Sequence, residues 1–81
     1  MVRVIFFSVL RELAGVEEVE ISMSWGETQV SDILRQVYHD YPRIESWNTK
    51  LLIAINGEFA DRSELLGDGD ELALMPPVQG G

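Results

Sequence analysis

The last six residues, Pro76-Pro77-Val78-Gln79-Gly80-Gly81, carry the pattern in this chain most suited to chemistry. Two prolines stiffen the exit from whatever precedes them, because each fixes its own backbone φ. Gly80 and Gly81 then remove every side chain from the last two positions. Such an end can thread a narrow channel in a partner and present its α-carboxylate to an enclosed site. Extended, six residues reach about 20 Å at ~3.3–3.6 Å each. A free carboxylate is a poor electrophile. Conversion to an acyl-adenylate supplies a leaving group: attack by sulfur then gives a thiocarboxylate, and attack by an amine gives an amide. A frayed terminus is the alternative for any short glycine-ended tail.

The remaining candidates are weaker. There is no cysteine, so the chain has no thiolate nucleophile, thiolate metal site or disulfide. No glycine-rich phosphate loop follows a strand into a helix. The lone histidine, His39, falls on the polar side of a helix near its C-terminus, where the helix dipole favours a cation. Asp68, Asp70 and Glu71 cluster, but the segment is too short for a calcium loop and reads as a solvated turn. Trp25 and Trp47 read as a core edge and a loop anchor. A self-contained enzyme is not expected.

The elements that must position the tail follow from periodicity. Val2 to Val9 is rich in β-branched and aromatic residues and reads as a strand apolar on both faces. Arg11 to Gly15 reads as one helical turn closed by glycine. Val19, Ile21 and Met23 alternate with Glu18, Glu20 and Ser22, the mark of a half-buried strand. Thr28 is the expected N-cap of an amphipathic helix whose apolar stripe is Val30, Ile33, Leu34, Val37, Tyr38 and Tyr41. Pro42 ends it, and Arg43 to Lys50 reads as a polar connection. Leu51 to Ile55 is a short strand, Asn56-Gly57 a type I′ turn, and Glu58-Phe59-Ala60 the return strand. Ser63 to Leu66 reads as a helical turn, Asp68-Gly69 as a turn, and Glu71 to Met75 as the last strand. Pro76-Pro77 stops the sheet.

This order predicts an α+β domain: a mixed sheet of four to five strands packed on one main helix, as in a ubiquitin-like β-grasp, with the last strand parallel to the first. Residues 1–75 form the domain and residues 76–81 a flexible tail. Arg3 and Glu71 mark the sheet face turned away from the helix. Alternation then places Ile5, Phe7 and Met75 on that face near the tail exit, with Phe59 as an extension, unless a loop covers them.

With 81 residues there is room for one domain. Its net charge of −8 opposes binding to phosphate backbones or anionic lipid and steers the chain toward basic patches on protein partners. No apolar run approaches the length of a bilayer span, and the apolar start is too short for a signal peptide. The expected location is the cytoplasm, with no nucleic-acid or membrane partner.

Taken together, Phe6-Phe7, Arg11-Glu12-Leu13 with Gly15, Leu51-Leu52 with Asn56, Asp68-Gly69-Asp70-Glu71 and above all Pro76-Pro77-Val78-Gln79-Gly80-Gly81 carry a family likeness. Over essentially its whole length the chain resembles the small subunit of molybdopterin synthase, the ubiquitin-like sulfur carrier called MoaD. Gln79 stands where that family usually has a small residue, and Met75 where an aromatic is common.

The resemblance implies that a ubiquitin-activator-like adenylyltransferase uses ATP to adenylate Gly81. A sulfur-donating enzyme then makes a Gly81 thiocarboxylate. The tail, Pro76, Pro77, Val78, Gln79 and Gly80, enters the large synthase subunit, which holds the catalytic site of the sulfurtransferase. Sulfur passes to a cyclic pyranopterin monophosphate to build the dithiolene of molybdopterin. A heterotetramer of two small and two large subunits is implied, with Phe7, Phe59 and Met75 binding partners. No metal and no permanently bound cofactor is implied for this chain. A sulfur carrier for thiazole synthesis, an amide-forming protein modifier and a pure interaction domain remain as alternatives.

Overall fold

Alternating Val2, Val4 and Phe6 seed the first strand, β1 (Val2–Phe6), and all three side chains are buried on one face. In a computed structural model, which describes residues 1–23 and 28–77, β1 is the first of ten elements among the described residues. After β1 come α1 (Val9–Ala14), β2 (Glu18–Ile21), β3 (Thr28–Gln29), α2 (Val30–Asp40), α3 (Pro42–Glu45), β4 (Leu52–Ile55), β5 (Glu58–Phe59), β6 (Leu65–Leu66) and β7 (Glu71–Met75). The main sheet has the order β2-β1-β7-β4-β5, and β3 with β6 forms a separate two-stranded ribbon. β1 and β7 are parallel neighbours at the centre, as the sequence predicts, and every other pair is antiparallel.

Helix α2 crosses one face of the sheet. Its buried stripe, Val30, Ile33, Leu34 and Val37, meets Val2, Val4, Phe6, Ile53, Leu72 and Leu74 in one core. Each such side chain contributes about 1.5–3 kcal/mol when fully buried. Phe6 also meets Tyr41 edge to face, with ring centroids 5.6 Å apart.

The local readings need five corrections. The first strand stops at Phe6, because Ser8 takes a positive φ of 55° and Val9 enters α1. Helix α1 therefore starts two residues before Arg11, and it turns Leu10 fully into the core. Gly15 closes it in the left-handed conformation, φ 80°, that glycine adopts without strain. The cap of α2 is Gln29, not Thr28: Thr28 is engaged in the β3–β6 ribbon, and the Gln29 amide donates to Asp32 at 3.3 Å. Pro42 both ends α2 and opens α3, whose Ile44 is fully buried, so residues 43–50 are not a bare polar connection. Ser63 to Leu66 is not a helical turn: Leu65 and Leu66 pair with Gln29 and Thr28. Trp25 lies outside the described residues.

Candidate functional site

The face of the main sheet away from α2 is organised in rows set by strand register. The first row is charged. Arg3 lies opposite Glu20 on β2 and Glu71 on β7. Its guanidinium donates to the Glu71 carboxylate, and its Nε lies 3.3 Å from Glu18. Pairing with Glu71, helped by Glu18, holds Arg3 above its ordinary pKa. This end of the face supplies countercharge to Glu18 and Glu71, while Glu20 makes no ion pair among the described residues.

The second row is apolar across four strands. Ile5 pairs with Ala73, Ala73 with Ala54, and Ala54 with Phe59. Ala54 is only 6% exposed yet lies outside the core cluster, whereas Phe59 stands 76% exposed. The third row holds Met75 opposite Leu52, with Phe7 beside them: the Phe7 amide donates to the Leu74 carbonyl at 3.1 Å. Phe7 is 43% exposed and Met75 half-buried. Phe7, Phe59 and Met75 therefore share one face, and no loop of the described residues buries Phe7 or Phe59. Pro76 and Pro77 follow directly from the third row and are half-buried. Val78, Gln79, Gly80 and Gly81 lie outside the described residues.

Two polar nodes brace this face. Asn56 opens the β4–β5 turn with φ 49°, followed by Gly57 at φ 86°, the pair of positive values a type I′ turn requires. Its side chain donates to Asp70 at 3.0 Å and accepts from the Glu71 amide at 3.0 Å, tying the hairpin to the start of β7. The Gly67 amide and the Asn56 side chain both donate to Asp70 and hold its carboxyl below the usual range. In the second node, Tyr38 Oη and Arg62 Nη1 both donate to Asn48 Oδ1, at 2.5 and 2.7 Å. Burial pushes the Tyr38 hydroxyl up. These side-chain ties are invisible in periodicity. The Asn-Gly dipeptide was the only advance signal of the first, and the second had none.

The other candidates resolve simply. Asp68, Asp70 and Glu71 face different partners: the Met1 amino group, the Gly67–Asn56 donors and Arg3. Among the described residues no group of three carboxylate or imidazole side chains is placed to hold a metal. His39 is exposed, with Nδ1 3.2 Å from Asp40, and it is the main cause of the lowered Asp40 pKa. Trp47 is half-buried against the core, with the Lys50 ammonium 5.9 Å from its ring centroid. Among the described residues no helix is long and apolar enough to cross a membrane.

A mixed sheet with a central parallel β1–β7 pair, crossed by one long helix and followed by an exit segment at the end of β7, defines a ubiquitin-like β-grasp domain. The solved structure of small archaeal modifier protein 1 from Haloferax volcanii superposes with a TM-score of 0.87 at 33% identity, covering 99% of this chain and 98% of that one. The ThiS family matches residues 4–81, and the chain belongs to that family. A molybdopterin synthase sulfur carrier subunit from Chlamydomonas reinhardtii is 34% identical over 82 residues, which cover 99% of this chain and 98% of the relative. The complex of subunits 1 and 2 of the molybdopterin-converting factor from Helicobacter pylori contains a chain matching at TM-score 0.71 and 30% identity, over 99% and 97% of the two.

Proposed function

We propose that this chain is a cytoplasmic sulfur carrier subunit of a molybdopterin synthase. Its β-grasp domain, residues 1–75, is a handle, and residues 76–81 are the working arm. An adenylating partner joins the Gly81 carboxylate to the α-phosphorus of ATP, with pyrophosphate leaving. Sulfur delivered at the sulfide level by a donor enzyme then attacks the acyl carbon and displaces AMP, leaving a thiocarboxylate. The loaded arm enters the large subunit, where the thiocarboxylate sulfur bonds to a carbon of a cyclic pyranopterin monophosphate in place of an oxygen substituent. Water then cleaves the resulting thioester, leaving sulfur on the pterin and restoring the Gly81 carboxylate. Dithiolene formation needs two sulfurs, hence two donor events per product, in keeping with a heterotetramer of two small and two large subunits. The domain itself holds no cofactor; ATP belongs to the activating step.

One observation carries this reading. β7 delivers Pro76 and Pro77 from the apolar row of Phe7, Met75 and Leu52, in a chain that matches sulfur carrier subunits end to end. A partner seated on that row lies where it can receive the arm. The Helicobacter pylori complex supports a second subunit of the same factor as that partner.

Deletion of Gly81 tests the reading. The truncated chain is expected to keep its melting temperature and to lose all molybdopterin formation in a reconstituted synthase. Restored synthesis by the truncated chain contradicts it. Gly80→Ala separates threading from folding: a single methyl should slow transfer with no change in thermal stability.

A second reading has one specific support. The Haloferax volcanii structure is named as a modifier protein. If this chain is a modifier, its activated Gly81 goes to an amine and appears as an amide adduct larger than any sulfur-for-oxygen exchange.

A further inference from the structure

Countercharge is unevenly distributed over the outer face of the sheet. At the β2 end, Arg3 takes Glu18 and Glu71. At the β5 end, Asp61 and Glu64 share a hollow with the exposed Phe59, and Glu58 stands beside it in sequence. Among the described residues none of these three carboxylates makes an ion pair. The adjacent base, Arg62, is committed elsewhere, donating to the side chain and carbonyl of Asn48.

The same end has an open sheet edge. β5 pairs with β4 only at Ala54 and Ile55, and the Ala60 amide closes the pairing on the Ile53 carbonyl at 2.9 Å. Among the described residues no strand continues beside Leu52 on that side. An open cleft of about 600 Å³ lies there, bordered by Leu51, Leu52, Phe59, Asp61 and the Asn48-bound Arg62.

We propose, on the reading that the outer face binds protein partners, that this edge docks an extended basic segment of the large synthase subunit. An apolar side chain of the segment enters the cleft against Leu52 and Phe59. Arginine or lysine residues beside it supply the countercharge that Asp61 and Glu64 lack. An extended backbone suits an edge with unpaired strand length, and opposite charge steers encounter as well as fixing register. The carboxylate rim repels phosphate-bearing ligands. The contrast with the Arg3 end gives the docking a direction: there two of three carboxylates, Glu18 and Glu71, are paired internally and Glu20 alone is not, whereas the β5 end pairs none of its three among the described residues.

The test uses the full chain and the purified large subunit of molybdopterin synthase from the same organism, with Kd measured at low and raised salt. Asp61→Lys/Glu64→Lys reverses the rim. Glu12→Lys/Glu45→Lys is the control: it makes the same change in net charge on the helix layer, at exposed residues that form no ion pair among those described. The rim variant is expected to raise Kd at least tenfold and to flatten its salt dependence, while the control shifts Kd less than threefold. Equal effects of the two variants overturn the inference in favour of net charge alone. A wild-type dimer that the rim variant dissolves assigns the edge to a second copy, and overturns it too. Failure of the wild-type chain to bind the large subunit at all removes the parent reading, and this surface with it. Matching melting temperatures for the variants and the wild type confirm that each comparison concerns binding.

Discussion

The two ends of the outer sheet face are built from the same strands and behave oppositely. At the start of β1 and β7, Arg3 draws Glu18 and Glu71 around itself, so most of the charge there is met within the surface. Four residues further along the same strands, Phe7 and Met75 share a row with Leu52, next to the row that ends in the exposed Phe59, with no covering loop among the described residues. The charged end is largely paired within itself, with Glu20 alone left without an ion pair among the described residues. The apolar end leaves large side chains in water immediately before the tail, which is where an arm that must be handed to a partner needs its grip. Parallel pairing of β1 with β7 is what makes this possible, since it brings both strand ends to the same edge of the molecule.

The contrast holds only if the outer row is not core, and neighbouring residues on β7 test that most severely. Leu74→Ala removes a fully buried side chain and should lower stability by about 2–5 kcal/mol, measured by denaturant unfolding. Met75→Ala, one residue on and on the opposite face, should leave unfolding nearly unchanged and weaken large-subunit binding instead. If both behave as core substitutions, the apolar end is structural.

Phe7→Ala addresses the grip itself. Large half-exposed aromatics can be interface hot spots worth ≥ ~2 kcal/mol, so affinity for both the activating enzyme and the large subunit should fall more than tenfold. The far-ultraviolet spectrum should not change. Loss of affinity for one partner alone would mean that the two use different surfaces.

At the charged end the expected effect is small. Arg3→Gln should change partner binding less than twofold and melt closer to wild type than Leu74→Ala does, because exposed ion pairs contribute little. A binding loss comparable to that of Phe7→Ala would erase the distinction between the ends.

The smallest effect is a pH dependence at the start of β7. Asp70 has its folded-state pKa lowered by the Gly67 amide and Asn56. A lowered pKa contributes stability that is present above the unfolded carboxylate value and lost as pH falls through the folded one. Asp70→Asn should therefore lower stability slightly at neutral pH, converge with wild type in acid, and so flatten part of the acid limb of the stability profile. An unchanged acid limb would show that this node plays no part in it.

Much of this was legible in the residues. Alternation from Arg3 and Glu71 put Phe7 and Met75 on one face, and the Asn56-Gly57 pair set the hairpin that carries Phe59. What could not be read was non-local. β6 exists because Leu65 and Leu66 find Gln29 and Thr28 across two helices and a hairpin, a pairing with no local signature. Ile44 reached the core because Pro42 can open a helix as well as close one. The run through Val9 has strand propensity throughout, and burial of Leu10 in α1 overrides it. The bare carboxylate rim depends on which acids find a cation: Arg3 turns to Glu18 and Glu71, and Arg62 to Asn48. Composition gives the total charge but not that allocation.

Carriage of sulfur on Gly81 is tested most directly by the intact mass of the full chain after incubation with its activating enzyme, ATP and a sulfur source. The expected product gains the mass of one sulfur-for-oxygen exchange, located by fragmentation at Gly81 and absent when Gly81 is deleted. An unchanged mass, or a gain that persists in the truncated chain, contradicts the account.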